Sequence, residues 1–297
     1  MSRSDANTLS GTARIRAHAE ARTGWLMGCV LAAQVAWLYW PLLKALGVQW
    51  YVDTNYSHGF LVPVLSAYFA WERRARLGRI TPQPSWWGVS VLLLGLLMLG
   101  IGQVGAELFL QRSSLVVVLA GLVLLMMGRE TLTVLSFPIA FLMFMVPLPA
   151  IVVNAIAFPL QGFAAQTATV CLLALDIPVL REGNVITLAK TSLEVAEACS
   201  GIRSLLALLA LGTVYAYFAE HVMWKRWVIV ALSVPVAIAA NAFRVAGTGI
   251  LAHYFGVEVA QGFYHDFSGW LVFAAAFILL LGIGTILGQV GRKEQMV

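Results

Sequence analysis

Apolar and polar positions alternate along most of this chain in long blocks. Eight blocks read as membrane-crossing helices, over roughly 25–46, 59–72, 86–103, 113–128, 131–147, 200–219, 226–250 and 267–289. A span needs about 20 apolar residues, fewer where the helix is short or buried in protein. The second block is short and polar at its start. The fourth and fifth are separated only by Gly128-Arg129-Glu130, which predicts a tight helical hairpin.

The longest stretch between blocks, about 148–198, has its own pattern. From Ala150 to Leu175 it is moderately apolar, with Asn154, Gln161, Gln166 and Thr167 interspersed. This reads as helix lying on or dipping into the membrane surface, broken near Pro159. A ninth span is the competing reading. Gly183-Asn-Val-Ile-Thr-Leu188 and the polar break after it predict a small hairpin, which leads directly to Cys199.

Composition agrees with the blocks. The chain has 297 residues, of which 60% are hydrophobic and 11% charged, against about 25% charged in soluble domains. The fold class is therefore an all-α polytopic membrane protein of about eight transmembrane helices. A polar tail, 1–24, precedes a single transmembrane domain, 25–290, and residues 291–297 form a second tail. The first tail reads as partly disordered and carries no signal-peptide pattern.

The charges orient the spans. With the N-terminus inside, Arg3, Arg14, Arg16, Arg22, Arg73, Arg74, Arg76, Arg79, Arg129, Lys225, Arg226, Arg292 and Lys293 fall on the inner side. Lys44, Arg112, Arg181 and Lys190 fall outside. This bias predicts both termini in the cytoplasm and segment 148–198 outside. A ninth span would move Lys225-Arg226 and Arg292-Lys293 outside and is disfavoured for that reason. The net charge of +5 reflects these clusters and is no sign of nucleic-acid binding.

Candidate chemistry collects at one membrane face. Of the three cysteines, Cys29 and Cys171 lie in apolar runs and read as small core residues. Cys199 stands where a polar segment turns into the helix that starts near Gly201. A thiolate at a helix N-terminus is favoured by the helix dipole and by nearby cations. Arg244 lies in an apolar run about two turns from its outer end, where a guanidinium is costly and marks a functional candidate. A salt bridge to Glu194 or Glu197 is the bland alternative. Asn241 is three residues earlier, on the same helical face. Arg203, one turn into its helix, reads as snorkelling to the interface. His265, just before the last span, supplies an imidazole suited to shuttling protons to a cysteine. His253 and His58 compete for that role, and Asp266 reads as a cap of the last helix. The three outer histidines lack the spacing of a metal site. No phosphate-binding or dinucleotide glycine pattern occurs, and no cofactor is expected. Trp50, Tyr51, Trp86, Trp87 and Trp224 read as an interfacial belt.

Four strings now stand together: Tyr56-Ser-His-Gly-Phe-Leu61, Ala198-Cys-Ser-Gly-Ile-Arg-Ser-Leu205, Asn241-Ala-Phe-Arg-Val245 and His265-Asp-Phe-Ser-Gly-Trp270. In order and membrane side they resemble the exosortase/archaeosortase family, over about residues 25–290. The resemblance implies a bacterial inner-membrane enzyme associated with exopolysaccharide systems. It implies cysteine protease and transpeptidase chemistry on proteins with a C-terminal PEP-CTERM sorting signal, passed to an unknown acceptor. It implies Cys199 as nucleophile, Arg244 as stabiliser of the oxyanion or thiolate, and His265 as general acid/base. His58, Asn241, Arg203 and His253 are auxiliary candidates. No appended soluble domain is expected after the last span. Two other classes remain open on the residues alone. One is a transporter with Arg244 as counter-ion and Glu107 as its acidic candidate. The other is a structural subunit of a polysaccharide or lipid export system.

Overall fold

The computed structural model describes residues 3–189, 191–194, 201–256 and 263–289, with side chains over 28–189, 192, 201–256 and 267–289. Cys199 lies outside the described residues, and so does the side chain of His265. The chain forms two compact units. The first comprises Met1–Asp53 and Gly59–Val146, the second Thr54–His58 and Pro147–Val297.

The first unit holds six helices: α1 (Arg3–Val52), α2 (Leu61–Glu72), α3 (Arg74–Leu77), α4 (Trp87–Val104), α5 (Leu108–Met127) and α6 (Arg129–Phe141). Helix α1 takes in most of the segment read as a polar tail. Helices α4 and α5 form the tightest pair, because glycines remove side chains from the seam. A Cβ at Gly95 would stand 2.6 Å from Val118, and one at Gly121 would stand 2.8 Å from the backbone of Leu92. Helix α5 begins earlier than the apolar pattern suggests. Glu107 caps it, accepting from the backbone N–H groups of Phe109 and Leu110. Arg112, expected in an outer loop, consequently lies buried in the second turn of α5. The expected tight hairpin is present: Gly128 closes α5 at φ 87° and α6 starts at Arg129.

The second unit is built from α7 (Ala150–Ala174), a three-stranded antiparallel sheet, α8 (Ile202–Ala219), α9 (Met223–Phe255) and α10 (Phe263–Gln289). The strands are β1 (Val179–Glu182), β2 (Val185–Leu188) and β3 (Thr191–Glu194), in the order β1-β2-β3. Where the sequence predicts a break at Pro159, the structure has one continuous helix with Pro159 inside it. Helix packing satisfies the backbone around such prolines in membrane proteins. Buried Ala164, Ala165 and Ala168 let α7 lie close to α9, and Leu172 packs against Gly249.

Among the described residues, seven helices are long and apolar enough to cross a membrane: Gly28–Val52 within α1, then α4, α5, α7, α8, α9 and Phe267–Gln289 within α10. Six coincide with expected spans and α7 is the addition. The expected spans 59–72 and 131–147 appear as shorter pieces. One is a 3-10 segment, Thr54–Phe60, leading into α2; the other is α6 followed by a 3-10 turn, Leu142–Met145. The protein is an all-α polytopic membrane protein in class, with one small sheet.

Candidate active site

Within the second unit, close approaches at two glycines bring the start of α8 to Asn241 and the Arg244 side chain to Gly269 on α10. Gly201 precedes α8 in the left-handed conformation, at φ 80°. Glycine takes this conformation without the steric cost of a Cβ. A Cβ there would also stand 2.7 Å from Cγ of Asn241. The head of α8 therefore sits on the Asn241 amide, which is only 4% exposed in the middle of α9.

That contact sets the level of Arg244 relative to α8. Helix α8 has 18 residues, a length of about 27 Å that approaches the roughly 30 Å hydrocarbon core. From Asn241 to Phe255 the axis of α9 rises about another 21 Å beyond the head of α8. Arg244 is one turn along this extension. It stands near the level of the α8 head and three turns from the end of α9. The flank of the extension is covered by α7, β1 and β2, through Leu172, Ile177, Ile186 and Leu188 packed with Val245, Ala246 and Ala252.

The half-buried Arg244 reaches toward α10. A Cβ at Gly269 would lie 3.3 Å from its Nη1. Helix α10 covers Phe263–Gln289, so His265 and Asp266 lie within it, just ahead of the apolar span Phe267–Gln289, and Asp266, expected as a cap, is inside the helix. Gly269 follows His265 by one helical turn on the same face. The guanidinium therefore meets α10 on the face that carries position 265.

Arg203 is exposed on the first turn of α8, and its Nη2 donates to Oγ1 of Thr54. Thr54 opens the 3-10 segment that contains Tyr56 and His58, whose rings lie 6.3 Å apart. The Tyr56 hydroxyl accepts from the backbone N–H of Leu148, 3.2 Å away, ahead of α7. Arg203 thus links the string at the head of α8 to the 3-10 segment that carries the first string. Its partner Thr54 lies just outside the four strings, and no signal in the sequence singled it out. Gly269 was legible in principle, since a glycine one turn after a candidate histidine leaves room for an incoming side chain.

His253 stands apart from this arrangement. It is in the last turn of α9, about 13 Å along the axis from Arg244 and roughly half a turn around it. Its ring packs edge-on against Tyr254 at 4.9 Å. Cys29 is exposed, and Cys171 is half-buried against the α7–α9 core. Among the described residues, no group of three or more His, Cys, Asp or Glu side chains is placed to hold a metal ion. A cavity of about 10 Å³ lies between Leu160, Gly201, Leu205 and Asn241, room for about one water.

A family model described as transmembrane exosortase matches residues 50–282, a stretch that contains all four strings. The chain belongs to this family. No curated protein and no solved structure matches it. Family membership and the apolar helices together make this a multi-pass membrane protein with a general role in protein sorting of the transpeptidase kind. In this exosortase, Glu107 serves as the N-cap of α5.

Proposed function

We propose that this exosortase is a cysteine peptidase and transpeptidase of the bacterial inner membrane. It cleaves C-terminal PEP-CTERM-type sorting signals at the periplasmic face, through a thioester on Cys199. The reading rests on one observation above the rest: Gly201, two residues after Cys199, packs on Asn241, while Arg244 on the same helix approaches Gly269, one turn after His265. The cysteine, arginine and histidine strings are thereby joined through α9.

The chemistry follows from the residue types. The Cys199 thiolate attacks the scissile carbonyl, and the resulting oxyanion is stabilised by the fixed positive charge of Arg244. Arginine does not give up its proton, so it neither takes the thiol proton nor protonates the leaving group. His265 takes the thiol proton and, as imidazolium, delivers a proton to the departing amine. Collapse of the tetrahedral species breaks the C–N bond and leaves an acyl thioester. An amine, hydroxyl or water acceptor then attacks the thioester and releases the thiol. The heads of α8 and α10 and the extension of α9 would face the periplasm, with both termini cytoplasmic and 148–198 outside, as the charge bias requires.

Co-expression with a tail-anchored substrate bearing such a signal tests the reading, with the product mass as readout. Wild type should release a shortened product or an acceptor adduct. Cys199→Ser should leave the substrate intact, while Cys29→Ala and Cys171→Ala should process it. Full processing by a membrane-inserted Cys199→Ser protein sinks the proposal. A thiol-directed acyl probe separates an enzyme from a transporter: only the enzyme should form a Cys199 adduct that Arg244 and His265 substitutions suppress.

A further inference from the structure

We propose that the first unit carries a binding site for one anionic phospholipid, in a groove where α4, α5 and α6 meet. The groove has a volume of about 510 Å³, within the roughly 300–1,000 Å³ range of small-molecule sites. Its lining divides by chemistry. Leading into and along α4 the polar Ser85 and Ser90 precede Val91 and Leu94, and along α6 Arg129 precedes Leu132; Trp87 and Leu124 complete the lining. A lipid has the same division, with a phosphate at one end and acyl chains beyond it.

The polar end is built on a fixed floor. The backbone N–H of Gln83 donates to Met127 O at 3.2 Å, and that of Ser85 donates to Leu124 O at 3.3 Å. Gly128 takes a positive φ and abuts Gln83 O so closely that no side chain fits between them. The segment leading into α4 is thereby tied to the end of α5, next to Arg129. Trp86 and Trp87, 85% and 77% exposed, stand at the head of α4 beside this end. Exposed tryptophans at a span end mark the headgroup level.

Charge selects the occupant. Arg129 is exposed, and among the described residues no carboxylate pairs with its guanidinium. The same end of the unit carries Arg73 over the Phe137 ring of α6, together with Arg74, Arg76 and Arg79; its acids are Glu72 and Glu130. This excess of arginines attracts a phosphate and repels a basic peptide tail. The phosphate would sit on Arg129 and the serine hydroxyls, with an acyl chain along Val91, Leu94 and Leu132. The site uses none of the residues of the proposed catalytic reading and stands independently of it.

Lipid exchange on the purified full-length protein, read by native mass spectrometry, tests the site. The protein is equilibrated with equal amounts of phosphatidylglycerol and phosphatidylcholine. Wild type should retain one phosphatidylglycerol in preference. Arg129→Gln should lower that preference about fivefold, the weight of one interfacial cation on an anionic lipid. Leu94→Trp, which fills the apolar run, should remove the retained lipid of either kind. Arg79→Gln, at the same end but outside the groove lining, should change the preference much less than Arg129→Gln. Because Arg129 is exposed, its variant stays interpretable if Leu94→Trp does not fold. Equal retention of the two lipids by wild type overturns the proposal, and so does an unchanged preference in Arg129→Gln. An equal drop in Arg79→Gln reduces the effect to a diffuse field and also overturns it. Groove variants that alter only self-association assign the surface to a second copy of the chain and overturn the lipid site as well.

Discussion

Gly201 and Asn241 touch as backbone against amide, with no room for a methyl group between them. This one contact fixes where α8 begins along α9, and therefore how far the Cys199 string lies from Arg244. A Cβ at position 201 meets two obstacles, the left-handed φ and the Asn241 side chain. The conformation alone costs about 1–2 kcal/mol.

Gly201→Ala should therefore lower the thermal midpoint measurably. Asn241→Ala should relieve part of the loss when combined with it. In a double-mutant cycle read by thermal unfolding in detergent, the pair should couple by roughly 0.5–3 kcal/mol, as touching residues do. Simple additivity would mean that the contact is not felt.

Gly269→Ala separates stability from activity. Alanine is favoured over glycine inside a helix by about 0.8–1 kcal/mol, so the protein should be no less stable. Its Cβ would stand 3.3 Å from Arg244 Nη1, and the guanidinium must shift. Processing should fall about tenfold, the equivalent of roughly 1.4 kcal/mol in the barrier. Parallel melting curves and processing rates check the split. A variant both stable and fully active would show that Arg244 does not depend on this approach.

Arg244→Ala and Arg244→Lys should both lose most processing at near-normal protein levels, because lysine keeps the charge but not the planar fork. A fully active Arg244→Lys would mean that a diffuse positive field suffices. His265→Ala should be inactive in the same assay and His253→Ala active, since His253 lies on the far side of α9. The opposite result would transfer the acid/base role to His253.

Arg203 and Thr54 act as one link, so Arg203→Ala, Thr54→Val and the double variant should show defects of similar size in the processing assay. Defects that multiply would show two separate roles. Loss of the link should leave melting little changed, because Arg203 and Thr54 are both exposed.

Reporter fusions after residue 189 should signal export, and fusions at Val297 a cytoplasmic end. The reverse pattern would refute the orientation drawn from the charges and admit α7 as a full crossing.

The sequence by itself determined the membrane class, most of the long helices and the four strings that carry the candidate chemistry. These are legible because hydrophobic blocks and side-chain chemistry are local properties, readable without knowing what packs on what. The turn at Gly128 was legible for the same reason, as a glycine between two apolar runs. The continuity of α7 through Pro159 was not. A local rule sees only the missing N–H, not the packing of the whole helix. The start of α5 was hidden because a carboxylate cap at Glu107 extends the helix past the point where hydropathy fades. Only the tertiary structure decided the level of Arg244. Helix length is encoded locally, but the register of one helix against another is set by contacts distant in sequence, here Gly201 on Asn241 and Leu172 on Gly249. The same cause lies behind the Arg203–Thr54 link, which bridges two segments far apart in the chain and has no sequence periodicity to announce it.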